Sequence, residues 1–309
     1  MKLQNGFEFL DGIEKTNLLL RDKFIEPPFS VLDTKQGEWQ DRKRAWGALG
    51  IKSEIGRDDS LTYKGNVAKF DYYRVKEGTR DDTDEQSTST FDPCLTELMY
   101  SWFCPEGGNV LDPFAGNVLD PFAGGSVRGI IAQYLGYHYD GIELRQEQVD
   151  SNREQAIDIL PIDNQPNWYV GDSNKVLDND WLHKFDFILS CPPYADLEKY
   201  SDLQDDISNM PYDRFLAIYK SIIGKSVKLL KAGGYACFVV GEVRGKDGYY
   251  YDFVSDTKRA FIDSGAKLYN DAVLLSVVGS ASMRASKQFQ ASKKLVKIHQ
   301  NVLVFKKEI

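Results

Sequence analysis

Histidine and cysteine are scarce in this chain of 309 residues, which holds three histidines (His138, His183, His299) and four cysteines (Cys94, Cys104, Cys191, Cys237). No two cysteines stand at C-x-x-C spacing, so neither a disulfide framework nor a zinc ribbon is suggested. Reduced thiols in a cytoplasmic setting are the simplest expectation, and so few imidazoles speak against a metal held by protein ligands. Long hydrophobic runs are missing too. No segment approaches the length of a membrane span, and Lys2, Glu8, Asp11, Glu14 and Lys15 interrupt the first twenty residues, so no signal peptide is expected. Positive charge is also in deficit, with 38 Lys and Arg against 46 Asp and Glu, a net of -8. Spread evenly, that balance would disfavour a nucleic-acid partner. It is not spread evenly: residues 281–309 carry seven basic side chains and one acid, a net of +6, which leaves -14 on the other 280 residues. An acidic body with a basic end can still meet phosphate locally.

Among the features present, a tandem repeat comes first. GNVLDPFA occupies 108–115 and again 116–123. One repeat of eight residues is too short for a solenoid, and removing one copy leaves 301 residues with uninterrupted strand, turn and helix signals. Only the second copy runs directly into Gly124-Gly125-Ser126. The expected register therefore uses Asp120 and Phe122 and loops 108–115 out before the strand.

Residues 1–77 are aromatic-rich and weakly periodic, an N-terminal extension that could serve target recognition. The stretch 78–91 is nearly devoid of apolar residues and reads as a flexible linker. From 92 to 309 strands alternate with helices. Helices are expected at 95–103, 126–134, 146–160, 212–231 and 252–264, and strands at 118–119, 138–144, 168–171, 185–190, 235–240, 268–278 and 300–306. This is the pattern of an α/β, doubly wound, mostly parallel seven-stranded sheet with an antiparallel last strand, because no helix is expected between the final two strands. Ligands of such sheets lie beyond the carboxyl ends of the strands.

Four consecutive strands end in residues suited to a ligand. The first ends in Asp120-Pro121-Phe122-Ala123-Gly124-Gly125, a glycine turn that opens a helix and its free N–H groups. The next ends in Gly141-Ile142-Glu143, an acid about 20 residues on, where a ribose would offer hydroxyls. The third ends in Gly171-Asp172-Ser173, and Asp172 is suited to accept from an adenine amino group. The fourth ends in Ser190-Cys191-Pro192-Pro193-Tyr194. Taken singly, each is an ordinary helix start, solvated acid or rigid loop; their order and spacing give them a shared reading.

These residues resemble the S-adenosylmethionine-dependent DNA amino-methyltransferases that act on adenine N6 or cytosine N4. The match runs from FDPCLTELMYSWFCPEGG at 91–108 through NVLDPFAGGSVRG, GIEL, GDS and SCPPY to HQNVLVFKK at 299–307. With PPFSVLD at 27–33 and RKRAWGALGIKSEIGR at 42–57 it extends over nearly the whole chain and looks most like phage or prophage methylases, which would act in the cytoplasm of a bacterial host. The resemblance implies a Rossmann-like methyltransferase fold and S-adenosylmethionine as cofactor. It places Asp120, Pro121, Phe122, Ala123 and Gly124 at the methionine end of the cofactor, Glu143 at the ribose, and Asp172 with Ser173 at the adenine. Phe91, Asp92, Pro93 and Cys94 would close over it. Cys191, Pro192, Pro193 and Tyr194 would be the catalytic segment, and a duplex with a flipped-out base the substrate, with RNA or a protein glutamine amide as alternatives and a decayed, purely binding protein as another. The basic segment at 279–297, with Arg284, Lys287, Lys293 and Lys294, is expected as a loop that touches nucleic acid.

The chain departs from the family at one position. Where Asp, Asn or Ser usually accepts from the target amine, this chain has Cys191, a weak hydrogen-bond partner. Ser190 faces the other side of the strand. The expectation is that the Pro192 carbonyl supplies one acceptor, and Cys191, Asp196 or Glu198 the other. A covalent role for Cys191, as in cytosine C5 methylation, would need a Pro-Cys order that the chain lacks.

Overall fold

The computed structural model describes residues 24–51, 91–105, 116–181, 184–194, 201–276 and 281–309. Most of the expected linker, the first copy of the repeat, Asp196 and Glu198 lie outside the described residues. The side chains of residues 281–284, Arg284 among them, do too.

Eight strands form one sheet: β1 (Val31–Asp33), β2 (Asn117–Asp120), β3 (His138–Glu143), β4 (Asn167–Val170), β5 (Phe185–Ser190), β6 (Leu230–Val240), β7 (Ala266–Leu275) and β8 (His299–Lys307). Their order is β1-β7-β8-β6-β5-β2-β3-β4. All neighbours are parallel except β8, which runs antiparallel between β6 and β7. The central strands read as unbroken apolar runs because both faces are covered. Val118, Phe187, Leu189, Cys237, Val239, Val302 and Val304 enter one core. Leu119, Ile188, Ala236, Phe238, Val240, Leu303 and Phe305, one residue out of phase, enter the other.

The first core is closed by α1 (Gly37–Ala48), α2 (Pro93–Phe103), α3 (Val127–Tyr134) and α4 (Gln146–Ile159). The short α5 (Ser173–Val176) follows β4. Over the second core lie α6 (Tyr212–Leu229), which buries Phe215, Tyr219, Ile222, Ile223 and Val227, and α7 (Phe253–Asp263). α8 (Ala281–Ser292) links β7 to β8. Pro93 in the first turn of α2 and the Asp92 carboxylate, which accepts from the backbone N–H groups of Cys94 and Leu95, set where that helix begins.

Three expectations change. The sheet has eight strands, because β1 of the N-terminal extension pairs in parallel with β7. Residues 24–51 thereby share the core of the main domain, with Trp39 and Trp46 buried. Seven residues apart, the two tryptophans fall on one face of α1 two turns apart; the charges between them, in QDRKRA, hide that face in the sequence. The segment expected as a loop at 279–297 contains α8, built from Ala, Met, Arg, Lys and Gln, good helix formers whose polarity masks the period. The antiparallel finish is present even so, with a helix in the connection. Tyr134, at the end of α3, is half exposed and meets Trp46 edge-on at 5.2 Å.

Candidate active site

The strand order reverses between β2 and β5: the chain steps outward through β3 and β4 and then returns to the other side of β2. A crevice opens at such a point beyond the carboxyl ends of the strands. The second copy of the repeat forms β2 and its turn, so Asp120 ends β2 while Cys191 follows β5 directly. The Ser190 hydroxyl donates to Asp120 Oδ1 at 2.5 Å and ties the two strand ends together.

Asp120 is wholly buried and both its oxygens are engaged. Besides Ser190, the N–H of Phe122 donates to Oδ1 (3.2 Å); Arg128 Nε (2.6 Å) and the Tyr139 hydroxyl (2.8 Å) donate to Oδ2. Arg128 is almost as buried, and its Nη2 also donates to the carbonyls of Phe122 (2.7 Å) and Ala123 (2.9 Å). Its guanidinium lies 4.5 Å from the centre of the Phe91 ring. The Asp120 carboxylate beside it holds Arg128 charged against a burial that works the other way. One buried ion pair thus fastens the glycine turn, and Phe91 lies over it.

Beyond the turn the backbone is open. Gly124 has φ +51°, and a Cβ built there would meet nothing within 4 Å. Its N–H donates to Glu143 Oε2 (3.1 Å) and its carbonyl accepts from Asn152 (2.7 Å). Glu143 Oε1 accepts the N–H of Arg145 at 3.0 Å. Burial pushes the Glu143 carboxyl above the ordinary glutamate range, and those two backbone donors oppose the shift. Gly141 is required for close approach: a Cβ would come within 2.7 Å of the Tyr139 hydroxyl and 2.9 Å of the Ala123 side chain. At the end of β4, Asp172 caps α5 through the N–H of Asn174 (2.8 Å), and the Ser173 hydroxyl donates to the Pro121 carbonyl (2.5 Å).

On the β5 side, Pro192 is buried and Cys191 and Pro193 are half-buried. Cys191 Sγ lies 3.7 Å from the Tyr194 hydroxyl. That hydroxyl accepts from Gln300 Nε2 of β8 (2.6 Å) and donates to the Val239 carbonyl (3.4 Å), and the ring packs edge-on against Phe253 at 6.1 Å. The ring of Tyr194 is therefore fixed by three elements.

Not every expected residue faces the crevice through its side chain. Asp92 is occupied in capping α2 and in bonds from Trp39 Nε1 (3.3 Å) and Lys43 Nζ (3.2 Å) of α1. Cys94 is buried, its thiol directed at the Trp39 carbonyl, and burial raises it far above the ordinary thiol range. Lys287 and Lys293 are exposed, with Lys293 Nζ 5.1 Å from the Phe289 ring, and Lys294 is half-buried. Arg128, Tyr139 and Gln300 escaped the sequence reading: nothing in the linear pattern marks which polar residue will turn inward. A groove of about 400 Å³ elsewhere, lined by Phe24, Met99, Trp102, Ala272, Val302 and Val304 among others, carries none of these groups. Among the described residues no cluster of three or more His, Cys, Asp or Glu could hold a metal ion, and no helix is long and apolar enough to cross a membrane.

No family model and no curated protein sequence matches the chain. Among solved structures it is similar to TrmN from Thermus thermophilus, with 15% identity and a TM-score of 0.46 over 70% of this chain and 49% of that one. It thus spans about half the length of the TrmN chain. It is also similar to the magnesium protoporphyrin IX methyltransferase ChlM from Synechocystis PCC 6803 with bound SAM (12% identity, TM-score 0.43, 79% and 93% covered). A third similarity is to another Thermus thermophilus protein, provisionally described as a DNA modification methylase (16% identity, TM-score 0.33, 44% and 50% covered).

Proposed function

We propose that the chain is an S-adenosylmethionine-dependent DNA methyltransferase acting on the exocyclic amino group of adenine (N6) or cytosine (N4). The observation that carries this reading is the pairing, across the crevice between β2 and β5, of an open glycine turn with a Cys-Pro-Pro-Tyr segment, joined by the Ser190–Asp120 bond.

The donors and acceptors present fit the cofactor. Glu143 presents a carboxylate already oriented by two backbone N–H groups, suited to a ribose diol; Asp172, with Oδ1 capping α5 and Oδ2 3.6 Å from the exposed Lys175 ammonium, would exchange that surface pairing for an adenine amine; Gly124 leaves room for close approach. When bound, the cofactor supplies a methyl group on a positively charged sulfur, open to in-line displacement. Asp120 serves by holding the turn rather than by contact, since its carboxylate is wholly buried among Arg128, Tyr139 and Ser190, whereas that of Glu143 stays partly exposed.

An exocyclic amine is a poor nucleophile because its lone pair is delocalised into the ring. Accepting hydrogen bonds from both its hydrogens draws the lone pair out of conjugation. The Pro192 carbonyl is one acceptor; Cys191, Asp196 or Glu198 is the other. Ser190 cannot serve, because its hydroxyl is committed to Asp120. The target base leaves the duplex to reach this site, and the immobilised Tyr194 ring stacks on it, so that the rest of the rate gain comes from positioning.

Incubation with labelled S-adenosylmethionine and defined DNA, followed by nucleoside mass spectrometry, tests the reading. Labelled N6-methyladenine or N4-methylcytosine is expected. Label in 5-methylcytosine, in RNA alone or in protein would overturn it.

A further inference from the structure

The chain between β6 and α7 leaves the sheet at Gly241 and returns at Phe253, and both ends abut Tyr194. A Cβ on Gly241 would lie 4.0 Å from the Tyr194 ring and 3.8 Å from Lys297 Nζ, and the Phe253 ring packs against Tyr194. Between these legs the backbone forms a closed turn. The N–H of Tyr251 donates to the Val243 carbonyl (3.0 Å), Gly245 to Tyr249 (2.8 Å), Gly248 to Gly245 (2.9 Å), and Arg244 bridges Tyr250 antiparallel. Glu242 accepts the N–H groups of Phe253 and Val254 at the start of α7, and Asp247 accepts that of Tyr249. Asp252, the third acid of the segment, pairs with Arg259 at 3.6 Å, so all three are engaged locally.

Apart from the exposed Asp247, what the turn presents is aromatic and basic. Tyr249 is 76% exposed, and among the described residues its ring has no aromatic or cationic neighbour. Tyr250 beside it is covered by the Arg244 guanidinium at 3.8 Å. Lys246 is exposed, and the Lys294 ammonium lies against Gly248 at the tip. Lys297, half-buried near Tyr194, makes no hydrogen bond or ion pair among the described residues; burial draws its ammonium below the ordinary lysine range, with Glu242 opposing. A ring free to stack, with cations spaced along a rigid rim, is how single strands are held.

We propose that this turn, residues 244–250, together with Lys294 and Lys297, forms a binding edge for an unpaired DNA strand running out of the active site, with Tyr249 stacked on a base beside the target and the lysines on its phosphates. The inference rests on the reading of the chain as a DNA methyltransferase and adds to it where the strand lies. It turns the basic segment and a loop that carries no recognisable motif into one surface.

The test uses the full chain, a fluorescent single-stranded DNA oligonucleotide and its RNA counterpart, with S-adenosylmethionine affinity and methyl transfer measured in parallel. Tyr249→Ala should weaken DNA binding about tenfold or more. The double variant Lys246→Gln/Lys294→Gln should lower the slope of log affinity on log salt by about 0.7 for each phosphate that is no longer neutralised. Both should keep wild-type cofactor affinity, which also reports that they fold. DNA binding and salt slope unchanged in both variants, while the wild type methylates DNA, would overturn this edge and leave the functional reading standing. Tighter binding to the RNA strand would overturn the assignment to DNA. A wild type that binds neither strand would overturn this edge, and the functional reading would fall with it only if no methyl group reached duplex DNA either.

Discussion

Asp120 stands where the resemblance expects a cofactor contact, yet its carboxylate satisfies a buried arginine, a tyrosine and a serine at once. Asp120→Asn should leave the Arg128 charge buried and uncompensated, a loss of about 3–5 kcal/mol that chemical denaturation would register, with the glycine turn loosened alongside. A variant as stable as the wild type would show that the pair does not hold the turn. Cys191 poses the complementary question. If the thiol is an acceptor for the target amine, Cys191→Ala should slow methyl transfer while leaving cofactor affinity intact; if a carboxylate has taken over, Asp196→Ala or Glu198→Ala should do so instead. Full activity in all three single variants would remove the proposed second acceptor.

At the scale of elements, the duplication is the most testable feature. β2 and its turn are made from 116–123, with Asp120 in register against Gly141 of β3, so the first copy is not needed for the sheet. A chain lacking 108–115 should bind S-adenosylmethionine as well as the full chain or better; loss of binding would show that the register is wrong. The longer strands and helices from 92 to 275 were legible because they carry an apolar run or a three-to-four period, whereas the four-residue α5 was not expected and β6 starts at Leu230, ahead of the glycine pair read as the helix end. α1 was not, because its buried face is two tryptophans separated by two turns of charge. Its docking is polar besides: Arg42 and Trp46 Nε1 both donate to Glu97 of α2, and a polar pairing has no sequence period. The strand-end motifs could be read from spacing alone, but which carboxylate turns inward could not. Asp120, Glu143 and Asp172 look alike in sequence, and all three are engaged in the fold; only burial separates Asp120, sealed beneath Arg128 and Tyr139, from Glu143 and Asp172, whose carboxylates keep some exposure.

For the whole molecule, charge is segregated along the chain: the basic C-terminal region enters the sheet as β8, and Gln300 of that strand secures Tyr194. The same region therefore closes the sheet, steadies the Pro-Pro-Tyr segment and adds cations beside it, which is why a net of -8 is compatible with a nucleic-acid substrate. All of this depends on the strand ends being a cofactor site. Calorimetric titration of S-adenosylmethionine into the full chain and into Glu143→Ala measures that directly. The wild type should bind one equivalent, and the variant, stripped of the acceptor at the end of β3, should bind tenfold or more weakly, about 1.4 kcal/mol, when titrated well below its unfolding temperature, which should fall because the Gly124 and Arg145 N–H groups lose their acceptor. No binding by the wild type, or equal binding by the variant, would contradict the account.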